Sequence, residues 1–172
     1  MAGIKMTYLL CYDDHRSFTE DIRKRFSDST RYKVESFHNV QDFMDNIRNE
    51  KLKNSCKVAI IGVPDAREQF EMIEDLTMQI KKVDQATGLI LLISPDKMED
   101  LKKAVRFNID AYIPRNDNSV LRIHNAVKKL ISEQSIVLFR KRRNISIYVL
   151  LGFLFLAGLL ILIARFRFPH YF

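Results

Sequence analysis

Glycine is scarce in this chain of 172 residues, which contains only five of them. Neither GxGxxG nor GxxxxGK[ST] occurs, so the glycine-rich loops that cradle nucleotides are missing. The GxSxG turn that presents a nucleophilic serine in many hydrolases is absent too. Cysteine is also rare: Cys11 and Cys56 lie in or beside apolar runs, and no CxxC pair or Cys/His cluster offers a metal site. We therefore expect two buried, reduced thiols.

Acidic residues are absent after Glu133, whereas six of the 28 basic residues follow residue 139. Residues 1–139 hold 22 basic and 21 acidic side chains, so the formal net charge of +7 belongs mostly to the C-terminal tail. A domain that binds nucleic acid would carry its basic patch on the folded body. The charge distribution therefore predicts no nucleic-acid partner.

Charge of either sign is absent from residues 145–164, a run of 20 residues. As an α-helix this run would be about 30 Å long, which matches the hydrocarbon core of a bilayer. It predicts one transmembrane helix followed by a short tail at 165–172. Four basic residues in RKRRN precede the run and two follow it, which places the N-terminal domain in the cytoplasm by the positive-inside rule. Because the N-terminus shows no signal-peptide pattern, we expect a tail-anchored, single-pass protein of the inner (cytoplasmic) membrane.

Residues 1–132 alternate five times between a short apolar run and an amphipathic stretch. Each amphipathic stretch repeats its apolar residues at helical spacing, as Phe18, Ile22 and Phe26 do. This alternation predicts an α/β domain with a doubly wound, five-stranded parallel sheet. Residues 133–144 are predicted to form a helical, basic linker to the membrane run. The apolar runs predict strands at Thr7–Tyr12, Arg31–Phe37, Lys57–Val63, Gly88–Ser94 and Ala111–Ile113.

Polar side chains follow three of these predicted strands. The motif LLCYDD ends in Asp13 and Asp14, LLIS ends in Ser94, and AYIPRN contains Arg115. On these motifs, residues 6–132 resemble the response-regulator receiver domain, the chemotaxis-type fold of two-component signalling. The resemblance implies a flavodoxin-like sheet with strand order 2-1-3-4-5. It also implies a phosphoryl group passed from a histidine kinase to an aspartate at the end of strand three.

The resemblance gives a role to each of these strand ends. Asp13 and Asp14 match the acidic pair that supplies carboxylates to Mg²⁺. Ser94 matches the hydroxyl that holds the phosphoryl group, and Arg115 stands where the family has a lysine. Each residue also has an ordinary alternative: the acidic pair and Ser94 can cap the helices that follow them, and Arg115 can be a solvated residue or an ion partner of the pair. His15, a lone histidine at a helix start, is expected to be a surface residue.

The third strand ends in VAIIGVP, where Gly62 takes the place of the family's phosphorylated aspartate. Glycine cannot be phosphorylated, and the nearest carboxylate, Asp65, lies three residues further on. The sequence therefore predicts a pseudo-receiver without a phosphoacceptor. It also predicts that Gly62→Asp creates a Mg²⁺ site with Asp13 and Asp14. The alternative is a working receiver that is phosphorylated on Asp65 with Mg²⁺.

We therefore expect a non-catalytic signalling or scaffolding module, tethered to the membrane, in a phosphorelay or a membrane assembly. Its partners would be unidentified proteins and the membrane through residues 145–164, with a homodimer through helix four, strand five and helix five as one candidate. No cofactor is expected, or only weak Mg²⁺ binding at the vestigial pair Asp13 and Asp14. The second alternative is an enzyme or nucleotide-binding protein of another doubly wound family.

Overall fold

The computed structural model describes residues 6–49, 55–64, 66, 70–104, 109–134 and 150–157. The chain divides into two units, Met1–Ser132 and Glu133–Phe172. The predictions for Asp65, for most of the basic linker and for the tail at 165–172 fall outside the described residues.

Five parallel strands form one sheet in the order β2-β1-β3-β4-β5, which confirms the expected fold class and strand order. Each observed strand begins and ends within one residue of its prediction. The inner strands β3 and β4 are almost wholly buried, because helices cover both faces of the sheet, and this explains their unbroken apolar runs. The strands are β1 (Thr7–Tyr12), β2 (Tyr32–Phe37), β3 (Cys56–Gly62), β4 (Gly88–Ile93) and β5 (Ala111–Pro114).

The helices follow the strands one by one, as the alternation predicts. They are α1 (Arg16–Arg25), α2 (Val40–Arg48), α3 (Phe70–Val83), α4 (Met98–Ala104) and α5, described over residues 119–134. A short 3₁₀ helix, Pro95–Lys97, precedes α4. Asn39 caps α2, since its side-chain oxygen accepts a hydrogen bond from the Gln41 backbone N–H at 2.8 Å.

Two hydrophobic clusters lie on opposite faces of the sheet, because alternate strand residues point to opposite sides. One cluster joins Leu10, Ile61 and Leu91 to the apolar faces of α2, α3 and α4. The other joins residues such as Leu9 and Ile60 to α1 and α5. The domain is therefore doubly wound, and the carboxyl ends of its strands are left to the connecting loops.

A buried ion pair lies at the opposite end of the sheet, where β3 begins. The side chain of Lys57 is only 3% exposed, and its Nζ lies 2.7 Å from Asp84 Oδ2. The same Nζ donates a hydrogen bond to the carbonyl of Ile47, in the last turn of α2, at 3.1 Å. A cation is favourable beside these helix carbonyls because the C-terminal end of a helix is electronegative.

In the second unit the structure describes residues 150–157, which are helical. All of the large apolar side chains in this stretch are exposed. Among the residues that the structure describes, no helix is both long enough and apolar enough to cross a bilayer. The transmembrane helix at 145–164 thus stays a prediction.

Candidate functional site

The candidate site lies where the carboxyl ends of β1, β3, β4 and β5 meet, as they must in a parallel sheet. Asp13 directly follows β1, and Gly62 is the last residue of β3. Ser94 directly follows β4, and Arg115 directly follows β5. The sheet register pairs Tyr12 with Ile61, so the residues that end β1 and β3 are neighbours.

Asp13 and Arg115 form an ion pair at this edge, although 102 residues separate them in the sequence. The Arg115 Nη2 atom lies 2.9 Å from Asp13 Oδ2. The Asp13 side chain is 2% exposed, so this carboxylate is almost completely removed from solvent. The Arg115 guanidinium also lies 5.7 Å from the centre of the Phe18 ring, a cation–π contact with α1. Arg115 is therefore held between the end of β5 and the first helix.

The second oxygen of Asp13 is occupied by His15. Asp13 Oδ1 accepts a hydrogen bond from the His15 backbone N–H at 2.9 Å, and it lies 3.1 Å from His15 Nδ1. His15 itself stands at the N-cap position of α1, and its side chain makes no capping hydrogen bond. Asp13 therefore joins the end of β1 to the start of α1 and to the end of β5.

Gly62 is required by space at this position and belongs to the extended backbone of β3. A Cβ atom on Gly62 would lie 2.6 Å from both Cγ and Oδ2 of Asp13, and 3.1 Å from Arg115 Nη2. These distances to Asp13 are shorter than any ordinary contact between non-bonded heavy atoms. The ion pair thus fills the space that a side chain at residue 62 would need.

The other two predicted site residues, Asp14 and Ser94, are not part of the ion pair between Asp13 and Arg115. Asp14 is exposed to solvent, and Ser94 stands before the 3₁₀ helix without a capping hydrogen bond from its side chain. Within the described part of the chain, no three His, Cys, Asp or Glu side chains are grouped as a metal site. Both Asp13 oxygens already have donors, so a Mg²⁺ ion there would have to displace Arg115 or His15. The geometry does not fit the Mg²⁺ site that the resemblance implies.

Two contacts of the site were not predicted from the sequence. The first is the ring of His15 on Asp13, and the second is Phe18 beneath Arg115. The first contact could have been predicted, because Asp13 and His15 lie two residues apart directly after a strand. The second depends on how α1 packs, and no local pattern carries that information.

Comparison with known proteins finds solved structures but no relative by sequence. No protein-family model matches the chain, and no curated protein matches it. A response-regulator receiver domain protein from Clostridium thermocellum is 16% identical in sequence. Its structure matches with a TM-score of 0.59 over 77% of this chain and 98% of that one. The pilus assembly protein CpaE from Caulobacter crescentus is 13% identical, with a TM-score of 0.51 over 74% of this chain and 93% of that one.

A third similar structure is described as a novel family of redox sensors in the streptococci, evolved from two-component response regulators. It is 14% identical, with a TM-score of 0.57 over 75% of this chain and 54% of that one. At such low identities, a structural likeness shows the fold and leaves the function open. The chain therefore has the fold of the receiver domains of two-component response regulators.

Proposed function

We propose that this protein is a pseudo-receiver, a non-catalytic module that signals or scaffolds through protein–protein contacts at a membrane surface. The observation that carries the proposal is the Asp13–Arg115 ion pair packed against Gly62. In this arrangement the acceptor position has no side chain and no room for one. The acidic residue that would bind a metal is held by a cation instead. The ion pair holds these side chains in one arrangement, which leaves no space for a phosphoryl group at the end of β3.

The names of two similar structures support a role outside the phosphorylated switch. One is called a pilus assembly protein and the other a family of redox sensors. A redox role for Cys11 has little support, because burial, and next the charge of Asp13, raise the pKa of its thiol to about 12. A thiol is reactive as the thiolate, which is scarce at such a pKa. Contact with another protein is the use of the fold that we favour.

The partner-binding surface that we propose is formed by α4, β5 and α5. The strand β5 is at an edge of the sheet, and α5 has an exposed leucine, Leu121, on its outer side. The occupant can be a second copy of this chain or another membrane-associated protein. Co-purification of the full chain from membranes would identify this partner.

Loss of the phosphoryl switch can be tested with acetyl phosphate. We expect the full chain with Mg²⁺ to form no acyl phosphate, because residue 62 has no carboxylate and the Asp13 oxygens are occupied. Intact mass with and without hydroxylamine, which cleaves acyl phosphates, is the measurement. The alternative on Asp65 predicts a hydroxylamine-sensitive gain of one phosphoryl group that Asp65→Asn abolishes. Asp96→Asn, at an exposed carboxylate elsewhere in the chain, is the control.

Membrane attachment has its own test. Residues 145–164 carry no charge, and the large side chains described within them are exposed and apolar. We expect the full chain to stay in the membrane pellet after washing with alkaline carbonate, which removes peripheral proteins. Replacing two of these leucines, Leu151→Arg together with Leu154→Arg, should release it, because each arginine costs about 2.5–3.5 kcal/mol at the centre of a bilayer. Release of the unsubstituted chain by carbonate would contradict the proposed anchor.

A further inference from the structure

The His15 imidazole is oriented by a buried carboxylate and still open to solvent. Its side chain is 64% exposed, while the Asp13 oxygen 3.1 Å from its Nδ1 belongs to a side chain that is 2% exposed. This combination of a fixed ring and a free outer edge differs from that of an ordinary surface histidine. It is the arrangement found where a histidine reacts or shuttles protons.

The hydrogen bonds at Asp13 determine where the proton of His15 lies. The Asp13 carboxylate accepts hydrogen bonds from the His15 backbone N–H and from Arg115. An ionised carboxylate can only accept, so its contact with His15 Nδ1 is a third accepted hydrogen bond. Nδ1 must then carry the hydrogen, so the hydrogen bonds around Asp13 assign the Nδ1-protonated tautomer to a neutral His15. The lone pair of a neutral ring is left on Nε2, the nitrogen on the side of the ring away from the Asp13 contact.

The surroundings of this nitrogen favour an anionic group. His15 is the N-cap residue of a helix of ten residues, and the first turn of that helix contains no acidic side chain. The N-terminus of a helix is electropositive and offers free N–H groups to phosphate. Arg115 neutralises the negative charge of Asp13, which lies between it and His15. The exposed Asp14 opposes this field, but water screens its charge.

We propose that His15 accepts a phosphoryl group on Nε2. The Nε2 lone pair attacks the phosphorus of a small donor such as phosphoramidate, and a new P–N bond forms. The P–N bond of the donor breaks, and its electron pair leaves with the protonated nitrogen as ammonia. The proton on Nδ1 stays in place, so the phosphorylated ring is an imidazolium.

Asp13 acts on this step as a positioning residue. Its carboxylate holds the ring by Nδ1 and faces the positive charge that develops on the ring as Nε2 forms its bond. A buried aspartate has this effect on a reacting histidine in hydrolases that use a Ser-His-Asp triad. The site would serve as a regulatory modification at the same edge of the sheet where the aspartyl chemistry is missing.

This inference stands apart from the proposed function, because the two bonds differ chemically. A phosphoryl group on histidine is stable in alkali and is lost in acid, whereas an acyl phosphate is hydrolysed in alkali. Incubation of the full 172-residue chain with phosphoramidate is the test. We expect one phosphoryl group, alkali-stable and acid-labile, which tandem mass spectrometry maps to His15.

Two histidine variants decide whether the site is specific. His15→Gln should remove the label. His38→Gln should leave it unchanged, because His38 is a second exposed histidine just after a strand, and no carboxylate among the described residues forms an ion pair with it. Equal labelling of the two histidines, or no labelling of His15, would overturn the proposal.

Asp13→Asn should slow the labelling by about 10- to 100-fold, the size of effect seen when the hydrogen-bond partner that orients a metal-binding histidine is removed. Because this variant can also weaken the fold, the tautomer of His15 in the unsubstituted chain provides an independent measurement. Nitrogen-15 NMR should show the neutral ring protonated on Nδ1, whereas His38 should show no such preference. A ring protonated on Nε2 in His15 would leave no lone pair there, and would rule out the proposed attack.

Discussion

Gly62→Ala is expected to lower the free energy of unfolding by about 2–3 kcal/mol, a large loss for adding one methyl group. The added Cβ would lie 2.6 Å from the Asp13 carboxylate, so that carboxylate has to move. Any movement weakens its hydrogen bonds with Arg115 and His15, and Asp13 is too buried for water to replace them. Urea unfolding of the full chain, followed by circular dichroism, is the measurement.

A double-mutant cycle shows whether Asp13 is the cause. In an Asp13→Ala background the two clashing atoms are gone, so Gly62→Ala should cost less than about 1 kcal/mol. Gly88→Ala is a useful control, because its Cβ would meet the methyl end of Leu130, at 2.7 Å, and such an end can rotate away. Equal losses for Gly62→Ala in both backgrounds would show that Asp13 does not set the limit on residue 62.

The structure also changes what Gly62→Asp should do. The sequence predicted a gain of Mg²⁺ affinity with Asp13 and Asp14. With the ion pair in place, we expect the single variant to be destabilised for the same steric reason and to gain no Mg²⁺ site, since Arg115 already neutralises Asp13. Failure to bind metal would therefore no longer count against the fold.

The fold was predictable from the sequence because it depends on periodic patterns. Each strand is a short apolar run and each helix repeats apolar residues at helical spacing, so element type and order could be read from one chain. The polar β2, YKVESF, lies at an edge of the sheet, and the apolar β4, GLILLI, lies inside it, as their compositions indicate. The strand order itself came from the resemblance, and the structure confirms it.

The site was predictable only in outline. A parallel sheet brings the residues after its strands to one edge, so Asp13, Gly62 and Arg115 could be placed near each other. Which atoms meet there depends on side-chain directions, and a contact across 102 residues leaves no local pattern. The sequence therefore identified Gly62 as a missing acceptor. It could not show that Asp13 and Arg115 fill the space beside it.

The ion pair between Lys57 and Asp84 provides a second prediction, at the end of the sheet remote from the site. Asp84→Asn is expected to lower the free energy of unfolding by about 2–3 kcal/mol at pH 7, because it leaves a buried ammonium without its counter-charge. The loss falls short of the usual value for a fully buried pair, since Asp84 is 22% exposed and water screens part of the interaction. Thermal and urea unfolding of the full chain would measure it.

The pH dependence should identify the charge as the cause. Burial works against ionisation of Asp84, but hydrogen bonds from Lys57 and the Ala86 N–H, together with the Lys57 charge, hold its pKa below the ordinary value of 3.8. The ionised carboxylate thus stabilises the fold above pH 3.8, and this contribution is lost as the pH falls through the lower pKa of the folded state. The difference between the native chain and Asp84→Asn should therefore shrink below about pH 4.

The two partners of this pair should not be equally costly to remove. Lys57→Met leaves Asp84 able to turn toward water, and methionine fills the space of the lysine stem in the core. We therefore expect Lys57→Met to cost less than Asp84→Asn, and the double variant to recover part of the loss of Asp84→Asn. Equal costs would mean that Lys57 reaches solvent when unpaired, in contradiction to its 3% exposure. Since neither substitution touches Asp13, both variants should keep the labelling of His15, which separates the stability of the domain from the chemistry of its site.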